Sequence, residues 1–286
     1  MLGKIERTSM RDRKDGYLIR DIDPMHYIMP LIYPGRCDNE AYISERIDLS
    51  AINAWLEKEN AKPENVEFKY TMFHVLVACL MKTVHLRPKM NRFIANDTMY
   101  QRKKVTASFV VKKLFADDGA EGLAILDCEE KDTIYTLHEK LYKQISVVRS
   151  DKLDASSDAM SIVTKLPRWI SRPFVKLMCV FDRHGWVPKS LIATDPYYTT
   201  VLFSNIGSIG LKCGYHHLTN WGTNSIFCLI GEIKDGQVDI GLTIDERLAD
   251  GYYYSKTIKL LKYLTQHPEL LEKELIEKVD YEQQRN

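Results

Sequence analysis

The 286-residue sequence has no CxxC pair among its six cysteines, and neither these nor its eight histidines fall at a metal-ligand spacing such as HxxxH beside an acid. No metal is expected, and the cysteines read as reduced, small core hydrophobes of a cytoplasmic protein. No apolar segment leads the chain, whose first two dozen residues are charged throughout, and no run reaches the roughly 18 apolar residues that span a bilayer. Nor is there an excess of one charge: 40 Lys and Arg face 39 Asp and Glu. A global field that would hold nucleic acid or an anionic membrane is therefore missing, and neither is expected as a partner. GxSxG elbows, glycine-rich phosphate loops and dinucleotide fingerprints are absent. So are repeats and Gly/Ser linkers, which leaves one extended domain as the expectation, residues 37–286, preceded by an arm over residues 1–36.

What is present is alternation of α and β patterns. The arm carries three prolines in "DPMHYIMPLIYPGR" and reads as extended. "AYISERID" reads as a strand feeding a helix with Leu49, Ile52 and Leu56 on one face and Asp48 or Ser50 as its cap. Tyr70 to Leu86 is apolar on nearly all sides, as a buried helix would be, and places His74 in the core. Between 90 and 130, Asn96-Asp97 and Asp118-Gly119 separate three expected strands. Residues 134–148 show the helical spacing of Ile134, Leu137, Leu141, Ile145 and Val148, and a second helical region over about 156–184 is expected to break at Pro167 and Pro173. Strands return at "YYTTVLFSNIG", "SIFCLIGEI" and "QVDIGLTID", with Lys234-Asp235-Gly236 turning between the last two. The helix "GYYYSKTIKLLKYLTQ" follows, and a shorter polar-faced helix closes the chain.

Two strings carry chemistry. "LFSNIGSIG" at 202–210 resembles the Ser-Asn-x-Gly segment of the dihydrolipoyl acyltransferases of 2-oxo acid dehydrogenase complexes. "DERLADG" at 245–251 resembles their Asp-His-Arg-x-x-Asp-Gly signature. With the order of elements from about residue 40 to 268, these strings identify a resemblance to the chloramphenicol acetyltransferase superfamily. The resemblance implies an α/β two-layer sandwich, a mixed sheet with flanking helices, and a homotrimer whose active sites lie between subunits. Relatives also build cubic or dodecahedral cages, but the polar tail "EKELIEKVDYEQQRN" favours a free trimer. The implied activity is transfer of an acyl group from acyl-coenzyme A to a small thiol, hydroxyl or amine acceptor. Residues 1–40 are too short for a lipoyl domain, so none of its own is expected.

The residues carry over one at a time. The family's catalytic histidine is replaced here by Glu246, a base about two pKa units weaker at ordinary values, or about 2.7 kcal/mol. Arg247, Asp250 and Gly251 match the family's motif, the aspartate orienting it through ion pairing and the glycine letting the chain turn into the helix. Ser204 matches the serine that hydrogen-bonds the developing oxyanion, with Asn205 beside it. His216 and His217, between the two motifs, fall where the family has a loop lining its acceptor channel. Two functions stay open at this point: an acyltransferase with Glu246 as base, or a catalytically silent member kept as a trimeric scaffold.

Overall fold

The computed structural model describes residues 11–112, 121–149 and 163–281. Strand β9 (Gln237–Asp245) lies between β2 (Glu40–Asp48) and β8 (Ile226–Lys234), and the six-stranded sheet continues through β7 (Val201–Asn205) and β5 (Val105–Lys112) to β6 (Glu121–Cys128). The sheet is mixed, because β7 runs parallel to both β5 and β8 while the other pairs are antiparallel. Alternation along the strands divides its faces. Ile240, Leu242 and Ile244, with Ile226, Cys228 and Ile230, point into the main core. That face is covered by α2 (Ser50–Asn60), α3 (Met72–Leu86), α4 (Ile134–Arg149) and α7 (Gly251–Gln266). Helix α3 is apolar all round because it is buried all round, from His74 to Val84. This is the fold class that the sequence implies.

On the opposite face Leu202, Phe227 and Leu229 meet Leu218 in a small second cluster. A three-stranded sheet of β1 (Gly16–Leu18), β4 (Thr98–Arg102) and β3 (Arg92–Ala95) stands apart from the large one. Helices α5 (Arg168–His184) and α6 (Lys189–Thr194) fill the connection from α4 to β7.

Several local expectations change. The arm is not extended throughout: β1 pairs with β4, and α1 (Pro24–Ile32) starts with Pro24 in its first turn, where a missing N–H costs nothing, under an Asp23 cap. Asn96 and Asp97 turn as expected, both at positive φ (48° and 56°) in a tight β3–β4 hairpin, but the described residues of 92–128 hold four strands, not three, because a bend at Lys103-Lys104 divides β4 from β5. The Asp118-Gly119 turn and residues 156–162 lie outside the described residues. Pro173 does not break α5; the carbonyl it leaves without a partner belongs to the exposed Trp169. The closing helix is only a 3-10 turn, Pro268–Glu272, and the tail is not uniformly polar in its packing. Leu271 and Leu275 are fully buried, and the Leu275 amide donates to the Asp132 carbonyl at 2.8 Å.

Candidate active site

The motif begins where β9 ends. Asp245 is inaccessible to water, and Arg247 reaches back to it with Nε at 2.8 Å and Nη2 at 2.7 Å. The Arg36 guanidinium, also buried, stands 3.8 Å away on the other side. Arg247 Nη1 then donates to the Tyr33 carbonyl at 2.7 Å, so the pair ties the arm to the motif. Burial pushes the Arg36 pKa down and Asp245 pushes it up, with burial the larger effect. The sequence gives Arg247 as an organiser of the motif, but it does not show that Arg247's partner is Asp245, nor that Arg36, from a distant part of the chain, joins the pair.

Glu246 follows in a 3-10 turn, Glu246–Leu248, with its amide donating to the Asn39 carbonyl at 2.9 Å. The turn sends Arg247 inward and Glu246 outward. The Glu246 side chain is exposed, and among the described residues no lysine or arginine lies within ion-pair distance of it. Asp250 is exposed too and caps α7, accepting from the Tyr253 amide at 2.8 Å, a bond that holds its carboxyl below the usual range. Its organising role in this chain is a helix cap, with no ion pair among the described residues. Gly251 opens α7 at an ordinary φ, and a Cβ there would meet nothing within 4 Å. Within one chain, therefore, the turn does not require glycine.

Ser204 lies in β7 on the sheet face away from the main core, level with Leu229, which is level with Gly241. Asp245 is four residues further along β9, roughly 13 Å at the usual strand rise. One chain thus holds Ser204 two strands across from β9 and four residues back along it from Asp245, and does not bring Ser204 and Glu246 together. Asn205 leads into a 3-10 turn, Ile206–Ile209, and accepts from the Ser208 hydroxyl at 2.7 Å through its carbonyl.

The histidine pair lies elsewhere. Residues 211–217 cross the outer sheet face in close contact with it: a Cβ added to Gly231 would fall 1.5 Å from the Lys212 carbonyl oxygen, and one on Gly241 would fall 2.0 Å from that of Gly214. His216 stacks on Phe227 with 4.2 Å between ring centres and donates from Nδ1 to the His217 carbonyl oxygen, 2.8 Å away. The next amide, of Leu218, donates to the Glu40 carboxylate, which also accepts from the Tyr42 hydroxyl at 2.5 Å. Glu40 is the register partner of Asp245 across β2 and β9. The strap therefore brings His217 toward the Glu246 end of the sheet. Glu40, the link between them, carried no signal in the sequence.

A cleft of about 800 Å³ opens near the other edge of the sheet. Leu123, Ile125, Val147, Val148 and Ile192 give it an apolar lining, and Lys14, Lys103, Lys104, Lys140 and Lys189 border it. Among the described residues no group of three or more His, Cys, Asp or Glu side chains converges as a metal site would need.

No family model and no curated protein matches the sequence. Solved structures do match the fold. The dihydrolipoamide acetyltransferase of Azotobacter vinelandii is 15% identical with a TM-score of 0.57, over 88% of this chain and 93% of that one. The cubic core of the pyruvate dehydrogenase multienzyme complex is 13% identical with a TM-score of 0.56, over 88% and 93%. The truncated catalytic core of a 2-oxoacid dehydrogenase multienzyme complex from Thermoplasma acidophilum is 16% identical with a TM-score of 0.55, over 87% and 99%. The fold is that of an acyltransferase core. More narrowly, it is that of the dihydrolipoamide acyltransferase catalytic cores, in agreement with the resemblance read from the two motifs.

Proposed function

We propose that the protein is an acyl-coenzyme A-dependent acyltransferase whose site is completed by two copies of the chain in a trimer. The observation that carries this reading is the outward, unpaired carboxylate of Glu246 beside the saturated Asp245–Arg247 pair. A site that had merely decayed into structure would have that carboxylate locked against a cation. The fold likeness adds support. So does the Azotobacter protein, for which a serine, a histidine and an asparagine are named in the catalytic mechanism, the last two four positions apart as Glu246 and Asp250 are here.

In this reading Glu246 takes the proton of a small thiol, hydroxyl or amine acceptor as that atom attacks the thioester carbonyl. The Ser204 hydroxyl of a neighbouring copy donates to the oxyanion. Collapse expels the coenzyme A thiolate, which recovers the proton from Glu246. Arg247 and Asp250 hold the turn and the helix that present the base, and the strap with His216 and His217 borders the acceptor. The apolar cleft with its border of lysines has the character that a phosphate-rich, thioester-bearing ligand needs.

The test is coenzyme A release from acyl-CoA, followed with a thiol-trapping reagent across acceptor thiols and alcohols. Wild type is expected to turn over, and Glu246→Gln to lose about 10²–10⁴-fold, the usual worth of a positioned base. A wild type without turnover that gains it as Glu246→His would make the chain a silent scaffold instead.

A further inference from the structure

Helix α5 is long for how little of it is covered. Only Asp182 of its 17 residues is buried. That residue pins the C-terminal end to the body, accepting from the Tyr198 hydroxyl at 2.7 Å and the Gly222 amide at 2.9 Å, while Arg13 donates to its carbonyl at 2.8 Å. Pro167 caps one end, and Gly185 closes the other at φ 71°.

At about 100° per residue the helix sorts its side chains into two arcs. Trp169, Phe174, Leu177 and Val180 fall on the apolar arc, all of them exposed and Trp169 at 76%. Arg168, Arg172 and Lys176 fall on the adjoining arc, which flanks the apolar one on the Trp169 side, with Lys165 just before the helix, and none of the four has an ion-pair partner among the described residues. The helix's one acid, Asp182, is turned inward. Trp186, 58% exposed, follows the cap and stacks on His184, so a tryptophan stands at each end of a rod about 25 Å long.

We propose that α5 and Trp186 form a docking face for the surface of an anionic phospholipid membrane. The helix would lie in the interface, its apolar arc among the upper acyl chains and its cations against lipid phosphates, with the two tryptophans at headgroup depth. It does not cross: no helix among the described residues is long and apolar enough to do so. The charge complement favours an anionic lipid surface over a second α5, because a contact between two α5 helices would set these cations against one another. The near-zero net charge from which the sequence excludes a membrane averages this concentration away.

Vesicle co-sedimentation of the full chain tests this. Binding to vesicles containing phosphatidylglycerol should exceed binding to pure phosphatidylcholine by about tenfold or more and should weaken with salt. Trp169→Ala with Leu177→Asp should abolish it, and Arg168→Glu with Arg172→Glu should remove the preference for phosphatidylglycerol. All four positions are exposed, and circular dichroism checks that the fold survives. The tryptophan emission of wild type should shift to the blue on vesicle addition, and the shift should be lost in Trp169→Phe with Trp186→Phe. Absence of binding to phosphatidylglycerol vesicles overturns the proposal, as does binding that these substitutions leave unchanged. If wild type ignores vesicles while Trp169→Ala with Leu177→Asp lowers the mass in solution, the face is a contact between copies.

Discussion

Arg247 grips Asp245 through two hydrogen bonds of 2.8 and 2.7 Å, with both side chains sealed from water. Removing one partner strands a buried charge, so Arg247→Met should cost about 3–5 kcal/mol in urea unfolding. Adding Asp245→Asn to Arg247→Met should cost less than the two single changes summed. A sum that simply adds would show that the pair is not coupled.

Ser204 and Glu246 offer a direct check on the site's composition. If each site draws on two copies, neither Ser204→Ala nor Glu246→Gln alone should turn over well. Mixing the two variants, then unfolding and refolding them together, should restore part of the wild-type rate through sites that inherit both intact residues. No recovery in co-assembled protein would place the site within one chain.

Gly251 stands at a helix start with open space around it. In the isolated chain Gly251→Ala should leave stability unchanged or raise it by about 0.4–1 kcal/mol through loss of unfolded-state freedom. Thermal unfolding measures this, and a loss of turnover without a loss of stability would mean that acceptor or partner occupies the space.

His74 predicts a pH response. Its Nδ1 accepts from the Thr71 amide at 3.0 Å, and burial, helped by His138, pushes its pKa down to about 3. The unfolded chain binds a proton near pH 6.5 that the folded chain refuses, so stability is full above 6.5 and falls as pH drops toward 3. His74→Gln keeps an acceptor for the capping box without a titrating ring. It should flatten the stability profile between pH 6.5 and 5, by up to about 1.4 kcal/mol per unit. An unchanged slope would assign the loss to other groups, His138 and His85 among them, whose pKa values burial also lowers.

Leu275 is fully buried although the tail around it reads as polar. Leu275→Ala should cost about 2–5 kcal/mol, measured by chemical unfolding.

The sheet and its helices were legible because their periods are regular: β8, β9 and α7 fall where alternation and heptad-like spacing put them. Proline misled in the arm and in α5. Its prohibition inside a helix fails at Pro24, in a first turn, at Pro30, inside α1, and at Pro173, where the freed carbonyl faces water. The turn at Asn96-Asp97 was legible, but the bend at Lys103-Lys104, which carries no Gly, Pro or Asn, split one expected strand into two. The motif was legible as a string, but its electrostatics were not, since Arg36 and Glu40 reach Asp245 and the strap from positions that are neighbours only after folding. Leu275 was hidden for the same reason, as one apolar residue among charges.

The strap that carries His216 and His217 rests on Gly231 and Gly241 with no room for a methyl group between the backbones. Two residues without a side chain therefore decide how closely the segment leading to both imidazoles can lie against the sheet. Past those rivets, at His216 and His217, side chains can change without disturbing the backbone contact; at the rivets a side chain on the sheet glycines cannot be added.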